Sequence, residues 1–145
     1  MRFFLAGIMQ GSHLAATLHH QGYRQHIKQL LAAHFPAAEV YDPLEDHADS
    51  LSYDDQRGRE VFFHHCALCR ATDVVLAFLP EASMGTAIEM WEAYRHGRAV
   101  VTISPMSHNW AVKFLSHAVF ADLDELQRAL ASGELARRIG EVLAR

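Results

Sequence analysis

The chain has 145 residues and a formal net charge of -4, from 13 basic and 17 acidic side chains. This length is typical of one domain with its own core, so we predict a single domain over residues 1–145. Half of the residues are hydrophobic and 21% are charged, which indicates a folded globular chain. The acidic balance excludes a broad basic surface, so nucleic-acid polymers are not expected as partners.

Hydropathy argues against a membrane protein. No apolar stretch approaches the ~20 residues that a membrane span needs. The apolar N-terminal segment, residues 1–9, is too short for a signal peptide and lacks a small-residue cleavage site, so we interpret it as a buried first strand. These features predict a soluble protein without membrane partners, and the cytoplasm is the simplest location.

Two cysteines and eleven histidines raise the question of a metal or redox site. Cys66 and Cys69 form a CxxC pair, but no second pair completes a structural zinc site, and a redox pair should open a helix. We predict that both occupy buried helix positions, with a functional thiol pair as the alternative. The adjacent pairs His19-His20 and His64-His65 lack the i, i+4 spacing of two ligands on one helix face. No metal and no cofactor is predicted.

Apolar runs predict alternating strands and helices along the chain. The predicted strands are residues 2–6, 39–41, 74–79, 99–103 and 118–120. Helices are predicted after Ser12 to Leu31, then over residues 56–70, about 87–96, 109–116 and after Asp122 or Asp124, with a break near Gly133. This alternation predicts a three-layer α/β sandwich, in which helices cover both faces of a parallel sheet of about five strands.

In such sheets the ligand lies beyond the carboxyl ends of the strands. The segments at residues 7–12, 42–55, 81–89 and 104–109 are therefore the candidate site segments. The polar stretch at residues 44–55 is predicted to be a loop. Compact domains seldom keep a loop of about a dozen residues without a use, and a lid or specificity loop is the common one.

The segment from Pro80 to Glu89 carries the clearest chemical signal. It leaves a predicted strand, turns at Gly85 and enters a helix with a carboxylate in its first turn. Ser83 and Thr86 offer hydroxyls beside the helix amides, which suits an anionic or hydroxyl-rich ligand. The helix dipole would keep Glu89 ionised, and an ionised carboxylate suits attack on an anomeric carbon. Thr86 and Glu89 equally fit an ordinary capping box, so a structural role stays open at this point.

Three motifs carry a resemblance to a known family. They are FFLAG at residues 3–7, the apolar strand at residues 73–78 and above all SMGTAIE at residues 83–89. They resemble the nucleoside 2-deoxyribosyltransferases and the related 2-deoxynucleoside 5-phosphate N-hydrolases. The resemblance implies a flavodoxin-like (Rossmann-like) fold with Glu89 as the nucleophile that displaces the base and holds the sugar covalently. Transferases then deliver the sugar to another base, whereas hydrolases use water.

The resemblance also implies roles for other residues. Ser83 matches a serine that contacts phosphate in the monophosphate hydrolases, whereas Asn109 matches an asparagine of the transferases that a neighbouring subunit supplies. These two clues indicate different subclasses, and a site shared in this way implies at least a homodimer. His65 stands where the family usually has an aspartate, and a histidine could handle the proton of the leaving base near neutral pH.

Further residues complete the predicted site. Gly7, Met84 and Gly85 join Ser83 in the substrate-binding set through their motifs. Asp42, at the end of the second strand, could meet a base edge or a sugar hydroxyl, but an aspartate before proline is equally an ordinary turn opener.

Three residues outside the motifs were weighed separately. Arg24 is predicted to be a solvated helix residue, with an anion contact as the alternative. Trp91 and Trp110 are predicted to fill core or interface positions, because helix positions beside apolar neighbours favour packing over stacking on a base.

Three functions fit this sequence. The leading hypothesis is cleavage or transfer of the N-glycosidic bond of a nucleoside or nucleoside monophosphate. The first alternative is a non-catalytic nucleotide-binding or sensing protein that keeps the fold but has lost the acid. The second is a glycohydrolase that acts on a larger nucleotide such as NAD.

Overall fold

The computed structural model describes residues 1–8 and 20–145 and contains a five-stranded parallel sheet. The strand order is β2-β1-β3-β4-β5, and every neighbouring pair is parallel. This order is the flavodoxin-like one, so the predicted three-layer α/β sandwich is confirmed. The strands are β1 (Arg2–Gly7), β2 (Glu39–Tyr41), β3 (Val74–Phe78), β4 (Ala99–Ile103) and β5 (Ala118–Phe120).

Helices cover both faces of the sheet in the described part of the chain. Asp122 caps the helix after β5, where its carboxylate accepts a hydrogen bond from the Glu125 amide at 2.8 Å. Gly133, with φ of 75°, separates the last two helices, as the predicted break requires. The start of the predicted first helix lies outside the described residues. The helices are α1 (Tyr23–His34), α2 (Pro43–Asp46), α3 (Asp55–Ala71), α4 (Met84–Arg95), α5 (Trp110–Leu115), α6 (Leu123–Ala131) and α7 (Glu134–Leu143).

The core has two parts, one on each face of the sheet. Side chains alternate along a strand, so Phe3 and Leu5 of β1 pack with α1, α6 and α7, whereas Phe4 and Ala6 pack with α3, α4 and α5. Because both faces are covered, β3 and β4 are buried along almost their whole length. Among the described residues, no helix is both long and apolar enough to span a membrane.

The connection between β2 and α3 differs from the predicted loop. It contains the short helix α2 and a 3-10 turn at Ser50–Ser52. Asp42 caps α2, since its carboxylate accepts a hydrogen bond from the Leu44 amide at 3.1 Å, and Pro43 fixes the backbone of the first helical position. The polar stretch at residues 44–55 therefore contains regular structure and is not a plain loop.

Candidate active site

A cavity of about 300 Å³ lies at the carboxyl end of β1. Its position agrees with the rule for ligand sites in parallel sheets. One wall comes from the start of α4, a second from α3 and a third from the β2–α3 connection. The lining residues are Gly7, His47, Ser50, Tyr53, Gly58, Val61, Phe62, His65, Ser83, Gly85, Thr86 and Glu89.

Helix α4 begins three residues earlier than predicted. Ser83 is its N-cap, and the Ser83 hydroxyl oxygen accepts hydrogen bonds from the Thr86 amide at 3.3 Å and the Thr86 hydroxyl at 3.1 Å. Thr86 and Glu89 therefore do not form the predicted capping box. Glu89 lies in the second turn of α4, and Gly85 is a helical residue, not a turn residue.

The Glu89 carboxyl faces the cavity with an unusual proton affinity. Burial raises the pKa of Glu89 to about 8, and the positive charge of Arg24 only partly opposes this shift. No described residue donates a hydrogen bond to the carboxyl group. The prediction that the helix dipole keeps Glu89 ionised is therefore wrong, because desolvation outweighs a dipole whose effect fades beyond the first turn.

His65 lines the cavity, but its electrostatics differ from the expectation. Burial, together with the neighbouring His47 and His64, lowers the pKa of His65 to about 4. Its Nε2 lies 3.4 Å from the Tyr41 hydroxyl. Near neutral pH His65 is thus uncharged, which corrects the expectation of a histidine that titrates there.

The β2–α3 connection supplies cavity residues that the sequence analysis did not single out. His47, Ser50 and Tyr53 all line the cavity. His47 Nδ1 lies 3.0 Å from the Tyr53 hydroxyl, which donates a hydrogen bond to Asp49 at 3.1 Å. The length and polarity of residues 44–55 indicated a functional loop, but no motif marks these individual side chains.

Asp42 is not among the residues that line the cavity, and its predicted role in substrate binding stays a prediction. Its side chain is buried, with a carboxylate oxygen 2.9 Å from Arg24 Nη1 and the other 3.2 Å from Lys28 Nζ. The turn-opening alternative is correct, because Asp42 also caps α2. Arg24 is only 2% exposed and donates a hydrogen bond to the Leu5 carbonyl, so it is not a solvated helix residue.

The two predicted glycines do line the cavity. A side chain on Gly7 would collide with the hydroxyl of Tyr23. The Tyr23 ring stacks on the Phe78 ring, with 4.0 Å between the ring centroids. A Cβ on Gly85 would meet no atom within 4 Å, so the space above this backbone is open to a ligand.

Comparison with known proteins adds the fold relationship. A 2-deoxyribosyltransferase from Bacillus psychrosaccharolyticus matches with a TM-score of 0.64 and 18% identity, over 88% of this chain and 90% of that one. The chain has the deoxyribosyltransferase fold. A conserved protein from Enterococcus faecalis V583 also matches with a TM-score of 0.64, at 17% identity, over 90% and 97% of the two chains.

A third structure shares the deoxyribosyltransferase fold. It is a CMP N-glycosidase from Clostridium botulinum, with a TM-score of 0.52 and 16% identity over 91% of this chain and 98% of that one. No protein-family profile and no curated protein matches the chain by sequence. The relationship is therefore one of three-dimensional structure.

Two predicted site residues do not line the cavity. Met84 is 86% exposed and points outward, because the first position of α4 faces away from the sheet. Its predicted contact with substrate stays a prediction. Asn109 caps α5, where its side-chain oxygen accepts from the amides of Ala111 at 2.9 Å and Val112 at 3.4 Å. Its predicted role across a subunit interface stays a prediction.

The cysteines are buried in α3, on the side that packs against the sheet and α4. Burial raises the pKa of both thiols, which keeps them protonated and poorly reactive. The predicted buried helix positions are confirmed. Within residues 1–8 and 20–145, no three potential metal ligands come together.

Proposed function

We propose that this protein cleaves or transfers the N-glycosidic bond of a nucleoside or nucleoside monophosphate, with Glu89 as the nucleophile. One observation carries the proposal. A carboxyl group with a pKa raised to about 8 lies in a cavity at the carboxyl edge of the sheet. Strongly shifted groups in such cavities are typical of catalytic sites.

The fold relationship supports the same chemistry. One protein of this fold is named for deoxyribosyl transfer, and another for N-glycosidase action on CMP. The SMGTAIE motif at residues 83–89 resembles that of the deoxyribosyltransferase family, and it places its glutamate inside the cavity. We therefore assign the chain to this family as part of the proposal.

The reaction would turn on the ionised form of Glu89. A carboxylate oxygen attacks the anomeric carbon while the bond to the base breaks, and a covalent glycosyl ester forms. Because the carboxyl group is desolvated, its negative charge also stabilises the positive charge that develops on the sugar. Water or a second base then displaces Glu89 from the sugar.

The walls of the cavity suit the remaining parts of a nucleoside. The Ser83 oxygen accepts from Thr86, so its own proton stays available for a sugar hydroxyl or a phosphate oxygen. Tyr53 and Phe62 offer aromatic surface to a base. The site therefore suits a free nucleoside and a nucleoside monophosphate alike.

An exposed apolar surface supports a homodimer. We define the α4–α5 face as Met84, Ile88, Trp91 and Tyr94 of α4 with Trp110 and Phe114 of α5, all of them exposed. Large exposed apolar patches mark interaction sites, and a second copy of this chain is the occupant we propose. Asn109 begins the same helix as Trp110, so the face would bring this amide to the partner's cavity.

Base release from a panel of nucleosides, deoxynucleosides and their monophosphates tests the proposal. We expect release by the wild type and a loss of at least about a thousandfold for Glu89→Gln, which keeps the shape but removes the nucleophile. Glu141→Gln on α7 is the matched control and should retain full activity. Mass spectrometry of the quenched reaction should find the sugar on the peptide that contains Glu89.

The opposite outcomes are equally clear. Base release that survives in Glu89→Gln would contradict the nucleophile assignment. If no panel member is cleaved but one raises the melting temperature, the protein is a nucleotide-binding module. The neutral state of His65, at the position where the family has its acid, is the observation that keeps this second function in the test.

A further inference from the structure

A departing base must receive a proton, and the described cavity residues include few groups that could supply it. Most bases leave poorly as anions, so protonation typically contributes 10²–10⁴-fold to the rate, by order of magnitude. Glu89 is committed to the sugar in the proposed reaction. His65 is uncharged near neutral pH, and a neutral imidazole is too weak an acid to protonate the base.

His47 is the remaining histidine of the cavity, and its ring is held on several sides. The side chain is buried, with the residue 8% exposed. Its ring meets the Tyr53 ring edge-on at 5.9 Å and the His65 ring at 5.2 Å between centroids. These contacts hold the His47 ring beside the cavity.

The hydrogen bonds of Tyr53 determine which nitrogen of His47 is free. An ionised Asp49 can only accept, so the Tyr53 hydroxyl donates to Asp49 and its oxygen accepts from His47 Nδ1–H. Burial and the hydrogen bond to Asp49 both raise the pKa of Tyr53, which keeps its proton in place. His47 Nε2 makes no hydrogen bond with a described residue.

We infer that His47 donates a proton from Nε2 to the departing base, oriented by the chain from Asp49 through Tyr53. This inference rests on the proposed glycosidic activity. The bond between the anomeric carbon and the base nitrogen breaks, and its electron pair becomes the lone pair that accepts the His47 proton. The new bond joins Glu89 to the sugar. His47, now neutral, takes a proton back from the incoming water or base in the second half of the reaction.

Charged and titratable side chains lie on two sides of His47. An adjoining cleft brings Asp46 and Glu60 to the same side of His47, together with the cation Arg57 and the titratable Tyr41 and His64. On the cavity side, His65 and Glu89 face it. Asp49 lies behind Tyr53, so the charged groups near His47 come from both the β2–α3 connection and α3.

A matched pair of substrates tests this role. One is the best nucleoside of the panel, and the other is its analogue with an activated base, 7-methylated for a purine or 5-nitro for a pyrimidine, which leaves without needing a proton. For His47→Gln we expect kcat/KM to fall at least about a hundredfold on the ordinary substrate and less than about fivefold on the activated one. Tyr53→Phe should show a smaller loss with the same selectivity.

The control and the contradicting outcomes separate this inference from the proposed function. His64→Gln, an exposed neighbour outside the cavity, should match the wild type on both substrates. Equal losses on both substrates, or no loss on either, would overturn the role of His47 while glycosidic activity stands. Loss of both reactions in Glu89→Gln is expected in either case. A wild type that cleaves neither substrate would overturn both proposals.

If His47→Gln fails to fold, Tyr53→Phe carries the same test, because it removes one hydroxyl group and keeps the ring. Circular dichroism of each variant at the assay temperature identifies such a failure. A Tyr53→Phe enzyme with unchanged rates and an unchanged pH profile on the ordinary substrate would then overturn the proton chain.

Discussion

The Glu89 carboxyl is desolvated by burial, and no described residue donates a hydrogen bond to it. Such a group favours its neutral form, and the folded protein loses stability whenever the group must ionise. This is a common property of functional sites, in which a residue suited to chemistry is poorly suited to the resting fold.

Replacement of Glu89 should therefore stabilise the protein in a pH-dependent way. The pKa is raised from 4.5 to about 8 on folding, so the penalty is absent below pH 4.5, grows as pH rises and is complete above pH 8. We expect Glu89→Gln to increase the free energy of unfolding by about 3 kcal/mol at pH 7, with almost no gain at pH 4. Urea denaturation across this pH range measures it.

A matched surface variant controls that measurement. Glu141→Gln removes an exposed carboxyl of the α7 ion pair and should change stability by less than about 0.5 kcal/mol at every pH. A gain for Glu89→Gln that is the same at pH 4 and pH 8 would show that burial does not raise the pKa of this carboxyl group.

At the scale of single residues, sequence predicts what a local motif encodes. Ser83, Gly85 and Glu89 line the cavity because SMGTAIE specifies a short structural unit. The ion pair between Asp42 and Arg24 was not predicted, because the two residues are 18 positions apart in sequence and nothing in the local pattern reveals this contact. His47 was missed for a similar reason, since its environment exists only after the connection folds.

Helix α1 is joined to the end of β2 by a buried ion pair. Arg24 donates hydrogen bonds to Asp42 at 2.9 Å, to the Leu5 carbonyl at 3.0 Å and to Gln21 at 2.6 Å. A guanidinium group bound on several sides repays part of its desolvation cost. Removal of one partner would leave a buried charge without this compensation.

The variant Arg24→Met should be strongly destabilised for that reason. It keeps most of the side-chain length but leaves Asp42 with Lys28 as its remaining cationic partner. We expect a loss of about 3 kcal/mol in the free energy of unfolding, measured by urea denaturation. Arg137→Met, which breaks the exposed pair with Glu141, should lose no more than about 0.5 kcal/mol. Similar losses for the two variants would contradict a structural role for the buried pair.

At the scale of elements, strands were easier to predict than helix ends. Strands β3 and β4 are buried on both faces and consist of unbroken apolar runs, which leaves little ambiguity. The start of α4 was predicted three residues late, because Ser83 and Thr86 are both good N-caps. Tertiary packing determines which of the two residues caps the helix, and the local sequence does not predict it.

At the scale of the molecule, the α4–α5 face is an apolar surface that the described part of the chain leaves exposed. Met84, Ile88 and Trp91 follow the i, i+4, i+7 spacing of one helix face, and Trp110 is 78% exposed beside them. The interface prediction for Trp91 and Trp110 thus stays open, whereas a core position is excluded by their exposure. The parallel sheet with helices on both faces, in contrast, followed directly from the alternation of strands and helices.

Assembly through the α4–α5 face can be measured directly. We expect the wild type to sediment as a dimer or larger homo-oligomer at ~50 µM and Trp110→Asp to sediment as a monomer, because a charge at the centre of an apolar interface is costly. Phe63→Asp, at an exposed aromatic residue of α3, is the control and should leave assembly unchanged. A monomeric wild type, or a Trp110→Asp variant that still assembles, would contradict this interface.

The proposed catalytic groups of the cavity come from two separate segments of the chain, helix α4 and the connection between β2 and α3. Glu89 and Ser83 belong to a helix anchored on the sheet, whereas His47 and Tyr53 belong to the connection between β2 and α3. A shorter connection would leave the sheet and the carboxyl group intact but remove the proposed acid. It would also remove Tyr53 and its aromatic surface, so the proposed contact with the base and the proposed proton donor both depend on the length of one connection.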